Sequence, residues 1–146
     1  MIIKRDQYLK KLISRQWNGQ IKVITGIRRC GKSYLLRNLF KEYLLSQGVK
    51  NDQIIHLELD LVSNIRYRNP LELSQYIHDC IDGKTEKFYL FIDEIQMSEP
   101  VKNPYLPEGK KITFYDTLND FRAIPNLDVY VTGSNSKMLS TDILTE

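Results

Sequence analysis

The feature that most constrains this chain is a glycine-rich segment between an apolar run and a helical pattern. It runs from Gly26 to Gly31-Lys32-Ser33 and has the spacing G-x-x-x-x-G-K-[ST] of a phosphate-binding loop. Glycines at the fixed positions let the backbone approach phosphate oxygens without a Cβ in the way. The N–H groups of such a loop, and of the helix behind it, form a concave anion site. We therefore expect a strand, a loop and a helix that together bind nucleotide phosphates.

Two side chains of the loop carry specific chemistry. Lys32 supplies a flexible positive charge for the β- and γ-phosphates, and the hydroxyl of Ser33 is a ligand for Mg²⁺. The other phosphate contacts are expected from the loop as a whole. The predicted nucleotide-binding residues are Gly26, Ile27, Arg28, Arg29, Cys30, Gly31, Lys32 and Ser33.

The composition is that of one ordinary globular domain. The chain has 146 residues, of which 42% are hydrophobic and 27% charged, and its net charge is +3. This mild basicity does not by itself indicate a nucleic-acid ligand. No apolar run approaches the roughly 18 residues of a membrane span, and the first residues lack a signal-peptide core. We therefore expect no membrane partner. Because Cys30 and Cys80 make no disulfide framework, we expect reduced thiols in a cytoplasmic protein.

Strand and helix patterns alternate along the chain, which predicts an α/β fold with a parallel sheet. Strands are predicted over Ile21–Thr25, Gln53–Leu61, Lys87–Ile95 and Asp128–Thr132. Helices are predicted over Asp6–Trp17, Ser33–Ser46, a segment capped by Asn69 and ended by Gly83, and Thr113–Arg122. The second strand alternates apolar and polar residues, which is typical of a sheet edge, and its His56 is interpreted as solvated. The third is almost continuously apolar and is expected to be buried on both faces.

Polar residues follow two further strands at the point where each strand ends. Asp93-Glu94 follows one, and Ser134-Asn135 follows the other. Because parallel strands bring their carboxyl ends to one edge of the sheet, both groups should lie beside the phosphate loop. Asp93 fits a magnesium site next to Ser33, directly or through a water. Glu94 fits a general base that activates water. Ser134 or Asn135 could orient that water or sense the γ-phosphate, although a simple turn explains these two residues nearly as well.

The acidic pair favours hydrolysis by water over transfer to a bound small molecule. A small-molecule kinase would need an acceptor pocket and a lid, and the sequence shows neither. The Asn-Lys-x-Asp sequence that reads guanine in GTPases does not occur. ATP and Mg²⁺ are therefore the predicted ligands.

Three segments together carry a family resemblance: GIRRCGKS at 26–33, LFIDEIQ at 90–96 and VTGSNSKML at 131–139. They resemble prokaryotic P-loop ATPases of the AAA+ superfamily, in the branch where an N-terminal ATPase domain precedes a C-terminal domain of unknown function. The resemblance implies Gly26–Ser33 as Walker A, Asp93-Glu94 as Walker B and Ser134-Asn135 near sensor 1. It also implies that the stretch around Ile3, Arg5 and Tyr8 lies near the adenine.

The same resemblance implies a three-layer fold with a sheet of order 5-1-4-3-2 and an ATPase core over residues 1–146. The family continues into an arginine finger, a fifth strand, a lid and a C-terminal domain, and we expect these to be absent here. Ile21–Thr25 would then be an open edge strand, which invites pairing. We expect another segment or another copy of the chain to cover it. A protein or DNA partner acting through the C-terminal part is not defined by the sequence.

Two functions remain open at this point. In the first, the complete protein hydrolyses MgATP, with Glu94 as base and Lys32 neutralising phosphate charge. In the second, the chain is a nucleotide-gated binding module with little turnover of its own.

Overall fold

A computed structural model describes the backbone at residues 2–25, 32, 34–134 and 142–144, and the side chains at residues 7–25, 32 and 34–134. The predicted α/β fold is confirmed: a parallel sheet lies between two helical layers. The helices are α1 (Ile2–Ser14), α2 (Leu35–Phe40 continued by Lys41–Ser46), α3 (Pro70–Ile81) and α4 (Phe114–Arg122). The strands are β1 (Lys22–Ile24), β2 (Ile54–Glu58), β3 (Phe88–Asp93), β4 (Leu127–Thr132) and β5 (Asp142–Leu144). Within these described parts of the chain, no helix is long and apolar enough to cross a membrane.

The strand order is β2-β3-β4-β1-β5, and every neighbouring pair is parallel. This is the expected order 5-1-4-3-2 read from the other end. β2 lies at an edge, as its alternating pattern predicted. β3 is central, and all six of its residues are buried.

The expectation of a missing fifth strand is wrong. β5 pairs in parallel with β1, with Lys22 opposite Asp142 and Ile24 opposite Leu144. The strand has only three residues, which is too short for an alternating pattern to be recognised in the sequence. β5 therefore covers the edge of β1, and of the two expected coverings it is another segment of the chain, not a second copy, that pairs with β1.

Two of the predicted helix boundaries need correction. The helix predicted over Asp6–Trp17 starts and ends earlier than expected, because α1 spans Ile2–Ser14. Residues 2–14 contain no glycine or proline, so the helix can extend toward the N-terminus as far as Ile2. The predicted cap at Asn69 is confirmed: its Oδ1 accepts the N–H groups of Leu71 and Glu72 at 2.9 and 3.3 Å. Proline at the first helical position fits the same start.

The helix behind the phosphate loop is not α-helical throughout. α2 is π-helical over Leu35–Phe40 and α-helical over Lys41–Ser46. The helix ends at Ser46, and Gly48, two residues further on, has a φ of 96°, the left-handed conformation typical of a residue just past a helix end. Short π-helical segments occur frequently at functional sites, and this one comes just after the predicted phosphate loop in the sequence.

The sheet separates two hydrophobic cores. On one face, α3 and α4 cover alternate residues of β3 and β4, including Leu90, Ile92, Val129 and Val131. On the other face, α1 and α2 cover Phe91 and Tyr130 with Tyr8, Leu12, Leu35, Leu36 and Phe40. Side chains alternate between the two faces along a strand. Residues of β3 and β4 that lie two positions from Phe91 or Tyr130 therefore face α1 and α2 as well. Those residues include Asp93 and Thr132.

A buried ion pair closes the amino end of this second face. Lys22 and Asp128 are 0% and 4% exposed, and their Nζ and Oδ1 atoms lie 2.5 Å apart. Lys22 Nζ also donates to the Gln20 carbonyl at 2.8 Å, and Asp128 Oδ2 accepts the Trp17 N–H at 3.0 Å. Burial and the neighbouring carboxylate raise the pKa of the Tyr130 phenol far above its ordinary value. That phenol therefore stays protonated and donates to Asp128 Oδ2.

We expect Lys22→Met to lower the free energy of unfolding by about 3–5 kcal/mol, because it leaves the Asp128 carboxylate buried without its cation. The double change Lys22→Met with Asp128→Asn should cost less than Lys22→Met alone, since no uncompensated charge remains. Urea unfolding of the two variants and the wild type measures this order. A double variant less stable than Lys22→Met would contradict it.

Candidate functional site

The carboxyl ends of β1, β3 and β4 meet at one edge of the sheet, as predicted. β4 lies between the other two, with Ile24 opposite Thr132 and Ile92 opposite Val131. The Gly133 N–H donates to the Ile24 carbonyl at 3.3 Å, which joins the ends of β4 and β1. This arrangement brings the carboxyl end of β1, which the phosphate loop follows in the sequence, to the same edge as the acidic pair.

Lys32 reaches this edge from the helix that follows the loop. Its side chain is 2% exposed, and its Nζ donates to the Gly133 carbonyl at 2.9 Å. A buried ammonium group is stable only where acceptors or anions surround it. The Lys32 ammonium group therefore lies beside the end of β4, at Gly133, the residue that follows Thr132.

Asp93 is fully buried at the end of β3, and both of its oxygens accept hydrogen bonds. The Thr132 hydroxyl donates to Oδ1 at 2.9 Å, and His56 Nε2 lies 2.7 Å from Oδ2. An ionised carboxylate only accepts, so we assign the ring proton of His56 to Nε2. Each carboxylate oxygen keeps acceptor capacity, and two neighbours fix its direction. Asp93 is therefore an oriented carboxylate of the kind that binds Mg²⁺ together with phosphates.

Glu94 ends the strand in a left-handed conformation, with φ 61° and ψ 53°. This conformation costs a non-glycine residue roughly 1 kcal/mol or more. In a continuing strand, the side chains of Asp93 and Glu94 would point to opposite faces. The left-handed turn breaks that alternation at the sheet edge. The Glu94 N–H donates to the Thr132 hydroxyl at 3.1 Å, and the residue is 3% exposed.

Thr132 joins the two acids through a single hydroxyl group. That hydroxyl donates to Asp93 Oδ1 and accepts the N–H of Glu94, so its donor and one acceptor position are used. The side chain is fully buried. Thr132 was assigned to the strand in the sequence without a functional role. The signal that identifies it is its position as the last residue of a strand beside the acidic strand.

His56 and Gln96 are the other two residues that sequence reasoning missed. His56 was interpreted as solvated, and this is wrong: its side chain is 18% exposed and contacts Asp93. The alternation of β2 correctly placed it opposite the leucines but could not show that β3 presents a carboxylate there. Gln96 lies in the 3-10 turn after Glu94, where its Nε2 donates to Glu94 Oε1 at 2.7 Å.

Several predicted site residues lie outside the described residues. These are Gly26, Ile27, Arg28, Arg29, Cys30, Gly31, Ser33 and Asn135. Ser134 is described and exposed, and its N–H donates to Gln96 Oε1 at 3.3 Å. Of the predicted site residues that are described, the structure brings Lys32, Asp93, Glu94 and Ser134 to the same edge.

A family model described as "AAA domain" matches residues 18–146. The chain belongs to this family. Its fold is that of an AAA+ P-loop ATPase-type domain, and a nucleotide-binding domain is what the family and the fold support.

The match to solved structures shows the fold alone, because identity is low. The chain is similar to one in a structure of Drosophila ORC bound to DNA, with a TM-score of 0.56, 12% identity, and coverage of 94% of this chain and 81% of that one. It is also similar to a chain in a structure of Drosophila ORC bound to AT-rich DNA and Cdc6. There the TM-score is 0.50 at 12% identity, over 90% of this chain and 46% of that one.

Two relatives match over nearly the whole chain. An uncharacterized protein of Haemophilus influenzae is 33% identical over 144 residues, which is 99% of this chain and 32% of that protein. An uncharacterized protein of Methanocaldococcus jannaschii is 29% identical over 148 residues, covering 99% of this chain and 26% of that protein. The chain thus spans about a third or less of the length of both relatives.

Thr132→Val should lower the free energy of unfolding by about 1–3 kcal/mol, because it leaves the Glu94 N–H and Asp93 Oδ1 without their shared partner. Thr117→Val is the matched control, because that hydroxyl is also buried and donates to the Pro70 carbonyl at 2.9 Å. Denaturant unfolding should show the larger loss for Thr132→Val. If Thr132→Val lowers the free energy of unfolding no more than Thr117→Val does, the two hydrogen bonds of the Thr132 hydroxyl do not add to stability as proposed.

Proposed function

We propose that this domain binds ATP with Mg²⁺ and hydrolyses it, with Glu94 as the general base. The observation that carries the proposal is the position of Lys32, buried and hydrogen-bonded to Gly133 next to the Asp93-Glu94 pair. A phosphate-binding lysine and an oriented acidic pair at one edge of a parallel sheet are the parts that phosphoryl transfer to water needs.

The described residues fit a phosphate-bound Mg²⁺ ion. This ion prefers hard oxygen ligands and is held in nucleotide sites by one or two carboxylates together with phosphates. Asp93 supplies such a carboxylate, and its direction is fixed by Thr132 and His56. We assign Ser33 and Asp93 as the residues that would hold the ion. When bound, Mg²⁺ neutralises charge on the phosphate oxygens.

The residues of the chain then divide the work. Lys32 and the loop residues Gly26–Ser33 bind the phosphates and offset the charge that develops as the γ-phosphoryl group departs. The Glu94 carboxylate accepts a proton from the attacking water. Ser134 and Asn135 come after Gly133 in the sequence, just past β4, and are proposed to orient that water. The proposed ATPase unit covers residues 1–146, within a cytoplasmic protein.

Glu94→Gln should keep ATP binding and lower the hydrolysis rate by about 10²–10⁴-fold, the usual contribution of a positioned general base. The change keeps the size of the side chain and removes its ability to take a proton. Steady-state phosphate release and binding of a fluorescent ATP analogue measure the two properties separately. Glu86→Gln, an exposed acid before β3, is the matched control and should behave as the wild type. Hydrolysis by Glu94→Gln at the wild-type rate would refute the assignment of the base.

Lys32→Ala should abolish ATP binding, because it removes the buried positive charge that faces the phosphates. Lys110→Ala removes an exposed lysine in the loop before α4 and should leave binding unchanged. Isothermal titration of both variants with MgATP tests this difference. Equal affinities would mean that nucleotide binds elsewhere on the chain.

The alternative function, a nucleotide-gated module with little turnover, makes a different prediction for the wild type. Such a module would bind ATP tightly and show almost no phosphate release, with or without Glu94→Gln. The ratio of turnover to affinity in the full-length protein separates the two functions.

A further inference from the structure

Gln96 lies between the acidic pair and the segment that follows β4. Its Nε2 donates to Glu94 Oε1 at 2.7 Å, and its Oε1 accepts the Ser134 N–H at 3.3 Å. The two ends of one amide therefore join two loops that emerge from neighbouring strands. The short turn Ile95–Met97 does not itself need a glutamine at position 96, so these two side-chain contacts are what distinguish the residue.

The chemistry of the two partners fixes the direction of the amide. A carboxylate only accepts hydrogen bonds, and a backbone N–H only donates. Turning the amide over would place its carbonyl oxygen against the carboxylate and its NH₂ group against the N–H. Both contacts would then be repulsive, so the observed orientation is the one that satisfies both neighbours.

The backbone of Glu94 is already fixed by other contacts. Its left-handed conformation and the bond from its N–H to the Thr132 hydroxyl set where the side chain begins. Three side-chain torsions still lie between that backbone and the carboxylate. The bond from Gln96 restrains the carboxylate end and, being made to a charged group, belongs to the stronger class of hydrogen bonds.

We propose that Gln96 is a positioning residue for hydrolysis: it holds the Glu94 carboxylate in place and ties it to the backbone of Ser134. The inference rests on the proposed function, because it assumes that Glu94 is the base. Gln96 touches neither phosphate nor metal in this assignment and acts through Glu94. The same amide also links Ser134 to the base, because a displacement of the Ser134 backbone would shift Gln96 and, through it, the Glu94 carboxylate.

The surroundings of Gln96 make it accessible to substitution. Its side chain is exposed and borders an open cavity of about 230 Å³, which is also lined by Pro100, Thr113 and Tyr115. Shortening this side chain removes no core packing. Variants at this position should therefore fold, and thermal unfolding of each variant verifies that they do.

The test compares Gln96→Ala with Gln96→Glu in the full-length protein. Gln96→Ala should lower kcat about tenfold or more, the effect expected when a hydrogen bond to a charged group is lost, with KM for ATP unchanged. Gln96→Glu keeps the length and the acceptor for Ser134 but replaces the donor with a second carboxylate next to Glu94. It should lower kcat at least as much as Gln96→Ala.

Gln75→Ala is the matched control, because Gln75 Nε2 makes the same type of bond, 2.8 Å long, to the Asp79 carboxylate on the exposed side of α3. It should leave kcat unchanged. If Gln96→Ala also leaves kcat unchanged, or raises it, the proposal is overturned. If Gln96→Glu retains the wild-type kcat, the donor to Glu94 is unimportant and the proposal is likewise overturned.

A second comparison asks whether Gln96 acts through Glu94. In a Glu94→Gln background, Gln96→Ala should have no further effect on the residual single-turnover rate, because the base it positions is already absent. The same fold-loss in both backgrounds would indicate an independent role and contradict the proposal. Failure of the proposed function is recognised separately: it would appear as wild-type turnover in Glu94→Gln alone. An inactive Glu94→Gln beside a fully active Gln96→Ala would overturn only the role of Gln96.

Discussion

The carboxyl edge of the sheet depends on the alternation of side chains along β3 and β4. Successive residues of a strand face opposite sides, and the register pairs Ile92 with Val131. Asp93 and Thr132 therefore emerge side by side, on the face covered by α1 and α2. A slip of one residue in either strand would turn one of them away. The aliphatic side chains that β3 and β4 bury against α3 and α4 oppose such a slip, because they would leave their core.

The same face of the sheet carries charge at both ends, with aromatic rings between. Phe91 and Tyr130 pack edge to face, with ring centroids 5.6 Å apart, between the Lys22–Asp128 pair and the Asp93–Thr132 pair. At the amino end, the charges are paired inside a closed network, which suits a structural role. At the carboxyl end, the acids lie at the same sheet edge as Lys32. The buried charges at the carboxyl end therefore differ from those at the amino end in lying next to Lys32, the lysine of the predicted phosphate loop.

Much of this arrangement could be predicted from the sequence. The buried central strand, the edge position of β2 and the cap at Asn69 follow from local patterns, whereas the full strand order was implied by the family resemblance. The placement of Asp93 and Glu94 beside Lys32 follows from the rule that parallel strands end at one edge. The contact of His56 with Asp93 could not be predicted, since it depends on the register between β2 and β3. The contact of Gln96 with Glu94 depends on the left-handed turn at Glu94, which the sequence does not signal. β5 was missed because three residues carry too little pattern.

The central claim is that nucleotide phosphates and Mg²⁺ occupy the space between Lys32 and the Asp93-Glu94 pair. The most direct measurement is a crystal structure of the full-length protein with Mg²⁺ and a non-hydrolysable ATP analogue. The account predicts the γ-phosphate against Lys32 Nζ, the metal on the side of Asp93, and a water within hydrogen-bond reach of the Glu94 carboxylate. A nucleotide bound away from Lys32, or a metal that Asp93 does not approach even through a water, would contradict it.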